Sequence, residues 1–169
     1  MDINKYILEK AQANEQLCQP GAAGISSARS VGDLLKMYVK DIDYCLSNDF
    51  PSNEDLVNIG GNELSSHGIY VDAIKNLVDR PFLVFLGKSS AELKYTSYSV
   101  GQLFVKHEAK TNIRVLDHGY LIMDCFDNSS ITVFADQYGK VLINIYGNAA
   151  IKTSGPGSIT ITNKHKTTY

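Results

Sequence analysis

The sequence contains no tryptophan, only three cysteines and four prolines, and no apolar run longer than Pro81 to Leu86. Each shortage excludes something. Six apolar residues are far too few to span a bilayer, so no membrane partner is expected. Cys18, Cys45 and Cys125 are widely spaced, odd in number and without a CxxC, which suits reduced thiols rather than a disulfide framework. Charge of one sign is also scarce: the formal net charge is -2, with a pI near 6.1. No overall positive field therefore attracts nucleic acid or anionic lipid. The densest basic run, Lys164-His165-Lys166, reads as a solvated tail. Residues Met1 to Lys5 lack the charged and apolar regions of a secretory leader, so synthesis in the cytoplasm is expected. No GxGxxG, P-loop or GxSxG motif occurs, which removes the common nucleotide-binding and hydrolase signatures.

What is present is a rhythm. Between Leu103 and Ile161, pairs of apolar residues two apart recur every 8 or 10 residues: Leu103/Val105, Ile113/Val115, Leu121/Met123, Ile131/Val133, Val141/Ile143, Ala149/Ile151 and Ile159/Ile161. Polar turns rich in Asp, Asn, Gly and Ser separate them, among them Asp127-Asn128-Ser129 and Tyr146-Gly147-Asn148. Short strands at such spacing fit either a β-solenoid of about 20 residues per coil or a β-sandwich. The uniform shortness of the strands, their Ile, Leu and Val pairs and the recurring turn chemistry favour the solenoid. Its apolar pairs point inward, and Arg114, Asp124, Thr132, Asn144 and Lys152 lie on the solvent side.

The first third of the chain reads as helical. Residues Asn4 to Leu17 form a narrow amphipathic face, and Cys18 to Gly24 reads as a loop. Ser30-Val31-Gly32-Asp33 has the form of a capping box, and the stripe Val31, Leu34, Leu35, Tyr38, Ile42, Cys45 and Leu46 predicts one continuous helix with Cys45 as a core thiol. Ser52 opens a short helix that Gly60-Gly61 closes. Gly68 to Val71 and Pro81 to Gly87 read as strands, with a helical turn over Ala73 to Val78. The expected organisation is thus α+β by segregation: a helical cap region over residues 1–65, then a β-solenoid-like domain over 66–169.

Chemistry-bearing residues are sparse. His107, His118 and Cys125, with Asp117, Asp124 and Asp127 nearby, are the metal-capable cluster in sequence, but their spacing matches no zinc pattern, and turn residues are the better reading. Asp124 and Asp127 raise the possibility of glycosidase chemistry, for which so few coils offer little groove. Ser129 and Ser130 near His118 lack a nucleophile elbow. No catalytic residue, metal or cofactor is assigned. Phe126, Phe134, Tyr138 and Tyr146 recur near successive turns and are the candidate binding residues, as an outward aromatic ladder.

The helix Leu34-Leu35-Lys36-Met37-Tyr38-Val39-Lys40-Asp41-Ile42-Asp43-Tyr44-Cys45, its continuation Asn48-Asp49-Phe50-Pro51-Ser52, and the segments Val105-Lys106-His107 and Asn144 to Ala149 resemble uncharacterised proteins of gut Bacteroidetes prophages and mobile elements. The resemblance implies a phage-related protein of the host cytoplasm or the virion and supplies no activity. In architecture alone the repeat is similar to the bactofilins, which are β-solenoid polymers. The expectation is a non-enzymatic assembly or binding protein that forms homo-oligomers or engages a protein partner. A protein that sequesters a nucleotide signal and a carbohydrate-active or adhesin module are the alternatives.

Overall fold

A computed structural model describes residues 3–13 and 19–169. The chain divides into two compact units, Met1–His67 and Gly68–Tyr169.

The first unit is helical. It contains α1 (Ile3–Ala13), α2 (Gln19–Ser27), α3 (Val31–Lys40), α4 (Ile42–Asn48) and α5 (Asn53–Gly60), followed by a 3-10 helix over Gly61–His67. α2 replaces the expected loop. Pro20 occupies its first turn, where a missing N–H costs no helical hydrogen bond. The last residues of the helix expected to run to Leu17 lie outside the described residues. The continuous helix predicted from Val31 is broken at Asp41, whose φ of -105° and ψ of 36° leave the helical region. Its N–H closes α3 on the Met37 carbonyl at 2.8 Å, and its own carbonyl accepts from the Cys45 N–H at 3.1 Å to open α4. The apolar stripe survives the break, with Leu35, Tyr38, Ile42, Cys45 and Leu46 all buried.

Ser30 caps α3 through its Oγ, which accepts from the Asp33 N–H at 3.1 Å, and Ser52 caps α5 in the same way through Asp55. Asp55 also ties α5 to α1: it accepts from the Tyr6 hydroxyl at 2.8 Å and from Lys10 Nζ at 2.9 Å. Desolvation works against its charge, but Lys10, Ser52 and Tyr6 outweigh it and hold the carboxyl below the usual carboxylate range.

The second unit is a β-solenoid of strands β1 (Ile69–Val71), β2 (Ile74–Val78), β3 (Phe82–Leu86), β4 (Ser90–Tyr95), β5 (Val100–Val105), β6 (Lys110–Val115), β7 (Tyr120–Cys125), β8 (Ser130–Ala135), β9 (Lys140–Ile145), β10 (Ala150–Ser154) and β11 (Ser158–Asn163). Odd strands make one sheet, in the order β1-β3-β5-β7-β9-β11; even strands make the other. Every described pairing is parallel, which excludes the hairpins of a sandwich. Leu83 pairs with Leu103, Leu103 with Met123, and Met123 with Ile143, so each of these coils takes 20 residues, while the first and last odd-strand steps are shorter, Ile69 pairing with Val84 and Lys140 with Ser158. β2 stands where a helical turn was expected, because Ile74 to Val78 pairs in register with Ser90 to Lys94 and alternates in exposure with period two.

The core follows from that alternation. Ala91, Leu93 and Tyr95 of β4, Ile113 and Val115 of β6, Leu121, Met123 and Cys125 of β7, and Ile131 and Val133 of β8 all enter one buried cluster. Carboxylates stitch the corners to neighbouring coils. Asp79 accepts from the Thr96 N–H at 2.6 Å, Asp127 from His107 at 3.1 Å and Asp136 from Asp117 at 2.9 Å. Several corner residues adopt a left-handed backbone, including Asp79, Asp117 and Asp127, and Asp tolerates that region better than most residues.

Candidate functional site

The 20-residue register places Tyr98, His118 and Tyr138 above one another at one corner of the solenoid, each two residues before the first residue of its odd strand. Their rings stack in a column, with centroids 4.7 Å apart for Tyr98 and His118 and 4.6 Å apart for His118 and Tyr138. The spacing is that of adjacent β-strands, about 4.7–4.9 Å, so the backbone sets it. Both tyrosines are exposed, Tyr98 at 73% and Tyr138 at 52%. The column continues onto the outward face of the odd sheet through Val100 and Tyr120, then Ile122 and Leu142. Val100 is exposed, and Tyr120 and Ile122 are half-buried. Below the column, Asp136 receives N–H groups from Asp117, Tyr138 and Gly139, each at 2.9 Å, and these hold its carboxyl below the usual range.

The four aromatic residues singled out from the sequence sit in three different places. Tyr138 belongs to the column just described. Phe134 lies half-buried on the outward face of the even sheet, where the Arg114 guanidinium sits 5.2 Å from its ring centroid. Phe126 and Tyr146 stack 4.7 Å apart at the other corner, and both are buried. Tyr169 closes over them, with its ring 5.3 Å from Phe126 and 5.1 Å from Tyr146, and its hydroxyl donates to Asp124 Oδ2 at 2.6 Å. The exposed column was missed because Tyr98 and His118 differ in residue type and align only at twice the ten-residue period.

No family model matches this chain, and no curated protein or solved structure matches it.

The metal-capable residues are dispersed. His118 is in the exposed column, His107 is at the opposite corner, and Cys125 is buried in the core, its thiol pushed up by burial. The Nδ1 of His107 accepts the Gly87 N–H at 3.1 Å, and Lys106 Nζ lies 3.5 Å from Asp127. Among the described residues no three His, Cys, Asp or Glu side chains cluster as a metal site. Ser129 is fully buried at the corner opposite His118, so the two are not brought together. Among the described residues no helix is long and apolar enough to cross a membrane.

The last coil differs from those before it. Val141 and Ile143 are 0% and 1% exposed, but their partners on β11, Ile159 and Ile161, are half-buried and 47% exposed. On the even sheet, Ile131 is buried and its partner Ile151 only partly so. β11 and β10 each pair with one strand and end their sheets. Ser158 and Lys164 donate to Gly139 and Ile145 of the coil before. By alternation, the N–H groups of Ile159, Ile161 and Asn163 point away from β9. The tail turns back along the side, where Gly147 donates to Lys166 and Tyr169 reaches Asp124.

Proposed function

We propose that this chain is a non-enzymatic assembly protein whose solenoid self-associates through its last coil. One observation carries the reading: Ile161 occupies an inward, core-type position and is 47% exposed. A solenoid coil normally packs its inward residues on like residues above and below, and an uncovered terminal coil offers both that apolar surface and free strand edges. A second copy supplies both complements at once. Two last coils facing across a two-fold axis bury Ile151, Ile159 and Ile161 against their equivalents and set β11 antiparallel to an edge strand of the partner. The resemblance of the helical segment to prophage proteins supports a phage or mobile-element origin for such an assembly.

Sedimentation velocity over a concentration series tests the proposal. The wild type is expected to exceed the monomer mass, and Ile161→Lys to lose mass because it places a charge in the contact. A wild type that sediments as a monomer throughout, or an Ile161→Lys variant indistinguishable from it, overturns the reading.

A further inference from the structure

We infer a ligand cavity inside the helical unit, one that takes an uncharged lipophile carrying a single hydrogen-bond-accepting oxygen. Its volume is about 460 Å³, within the range of roughly 300–1,000 Å³ usual for small-molecule sites. All five α-helices wall it: Ile7 of α1, Ile25 of α2, Leu34 of α3, Cys45 of α4 and Ile59 of α5 are in the lining. The sequence explains the space. α2 reads Gln-Pro-Gly-Ala-Ala-Gly-Ile-Ser-Ser, with Ile25 as its one large aliphatic side chain, and it turns Gly21 and Gly24 to the cavity. A Cβ at Gly24 would lie 2.6 Å from Met37 Cε, so this wall is set at backbone contact. Packed interiors hold few spaces larger than a water molecule. A unit spanning only Met1–His67 has little stability with which to keep a large void, so a space of this size reads as a binding cavity.

The polar members of the lining identify the occupant. Tyr38 is 5% exposed, and its hydroxyl has no hydrogen-bond partner among the described residues. A buried hydroxyl is ordinarily bonded, so Tyr38 calls for an acceptor from the occupant. The charges of the lining leave none over. Asp55 is matched by Tyr6, Lys10 and Ser52. Lys40 and Asp41, the exposed residues of the lining, stand side by side at the break between α3 and α4 and offset each other. A charged head group drawn into the cavity would therefore lose its hydration without a counter-charge. The volume admits up to about 15 non-hydrogen atoms at the roughly 30 Å³ of a water-sized group. A medium-length alkyl chain ending in a hydroxyl or carbonyl meets these terms: the chain covers the aliphatic wall, and its oxygen accepts from Tyr38. The site uses no solenoid residue, so it stands or falls apart from the end-on association.

Isothermal titration calorimetry of the full chain with 1-decanol and with decanoate tests the assignment. 1-Decanol is expected to bind saturably at one site per chain, and decanoate about tenfold more weakly because its carboxylate is desolvated without a partner. Tyr38→Phe should weaken 1-decanol binding about five- to tenfold, the worth of one hydrogen bond, without lowering the urea midpoint of the protein, since the hydroxyl bonds nothing else. Ile59→Trp, which places an indole in the cavity, should abolish binding while circular dichroism shows native helix content. If that variant loses its helices, Leu34→Trp carries the same test from α3. Absence of saturable 1-decanol binding to the wild type overturns the proposal, as does decanoate binding as tightly as 1-decanol. Wild-type affinity in Tyr38→Phe, or in a folded tryptophan variant, overturns it too.

Discussion

The Tyr95 ring occupies the space that a side chain at residue 101 would need: a Cβ built on Gly101 would lie 2.3 Å from Tyr95 Cε1. Tyr95 is the bulkiest fully buried side chain of the solenoid core, and the absence of a side chain at 101 makes room for it. The pair is a large-for-small exchange within a core of fixed cross-section.

Two effects separate the ring from its hydroxyl. Tyr95→Ala should destabilise the protein by about 3–5 kcal/mol through cavity formation, and Gly101→Val should cost about 1–3 kcal/mol by overpacking. Combining them should recover part of the loss, a coupling readable in a double-mutant cycle of urea unfolding. The Tyr95 hydroxyl has no hydrogen-bond partner among the described residues, and burial pushes its pKa up. Tyr95→Phe should therefore be neutral to stabilising by about 1 kcal/mol. A loss of stability in that variant would show that the hydroxyl is satisfied.

Acid sensitivity should localise to the corners. Asp136 is held below the ordinary carboxylate range, chiefly by the Asp117 N–H and then by those of Tyr138 and Gly139. A depressed folded-state pKa contributes stability above the unfolded value, about 3.9 for Asp, and loses it as the pH falls through the lower folded value. Thermal melts from pH 6 down to pH 2 should show the wild type falling off below about pH 4. Asp136→Asn should be less stable at pH 6 and fall less steeply; parallel curves for the two proteins would refute the assignment.

Much of the fold was legible because side-chain period and coil length are visible in residues such as Ile113/Val115 and Ile131/Val133. The rhythm was not legible in the earlier coils, because Ala91 and Gly101 occupy inward positions there without looking like core residues. Asp41 concealed a helix break inside an unbroken apolar stripe, because the stripe records which face is buried and not whether the backbone ladder continues. The aromatic column was illegible for a different reason. Phe126 and Tyr138 both fall near successive turns, but consecutive segments lie on opposite sheets, so those turns fall at opposite corners.

The tail should behave as a removable clasp. Tyr169 covers Phe126 and Tyr146 and bonds Asp124. Tyr169→Phe should cost about 1 kcal/mol, the usual net value of one hydrogen bond, while keeping the ring contacts. Truncation after Asn163 should cost more and should raise amide exchange in β7 and β9 ahead of β4 and β6. Uniform exchange across the solenoid after truncation would argue that the tail supports nothing local.

The two described thiols report on the two units separately. Cys45 lies in the helical unit, where burial pushes its pKa up to about 12, and Cys125 lies in the solenoid core, where burial also pushes it up. Only the thiolate reacts with disulfide reagents, so both should be silent in the native state and react on local or global opening. In a Cys18→Ser protein, pulsed labelling across a urea series should modify Cys45 at lower urea than Cys125. The helical unit is the smaller of the two, and a small unit buries a smaller fraction of its surface. The continuous ladder of the solenoid opens only at the cost of many inter-coil hydrogen bonds. Coincident labelling midpoints would mean that the two units unfold as one cooperative block, and native-state reactivity of Cys125 would contradict its position between Val105 and Ile145 in the register.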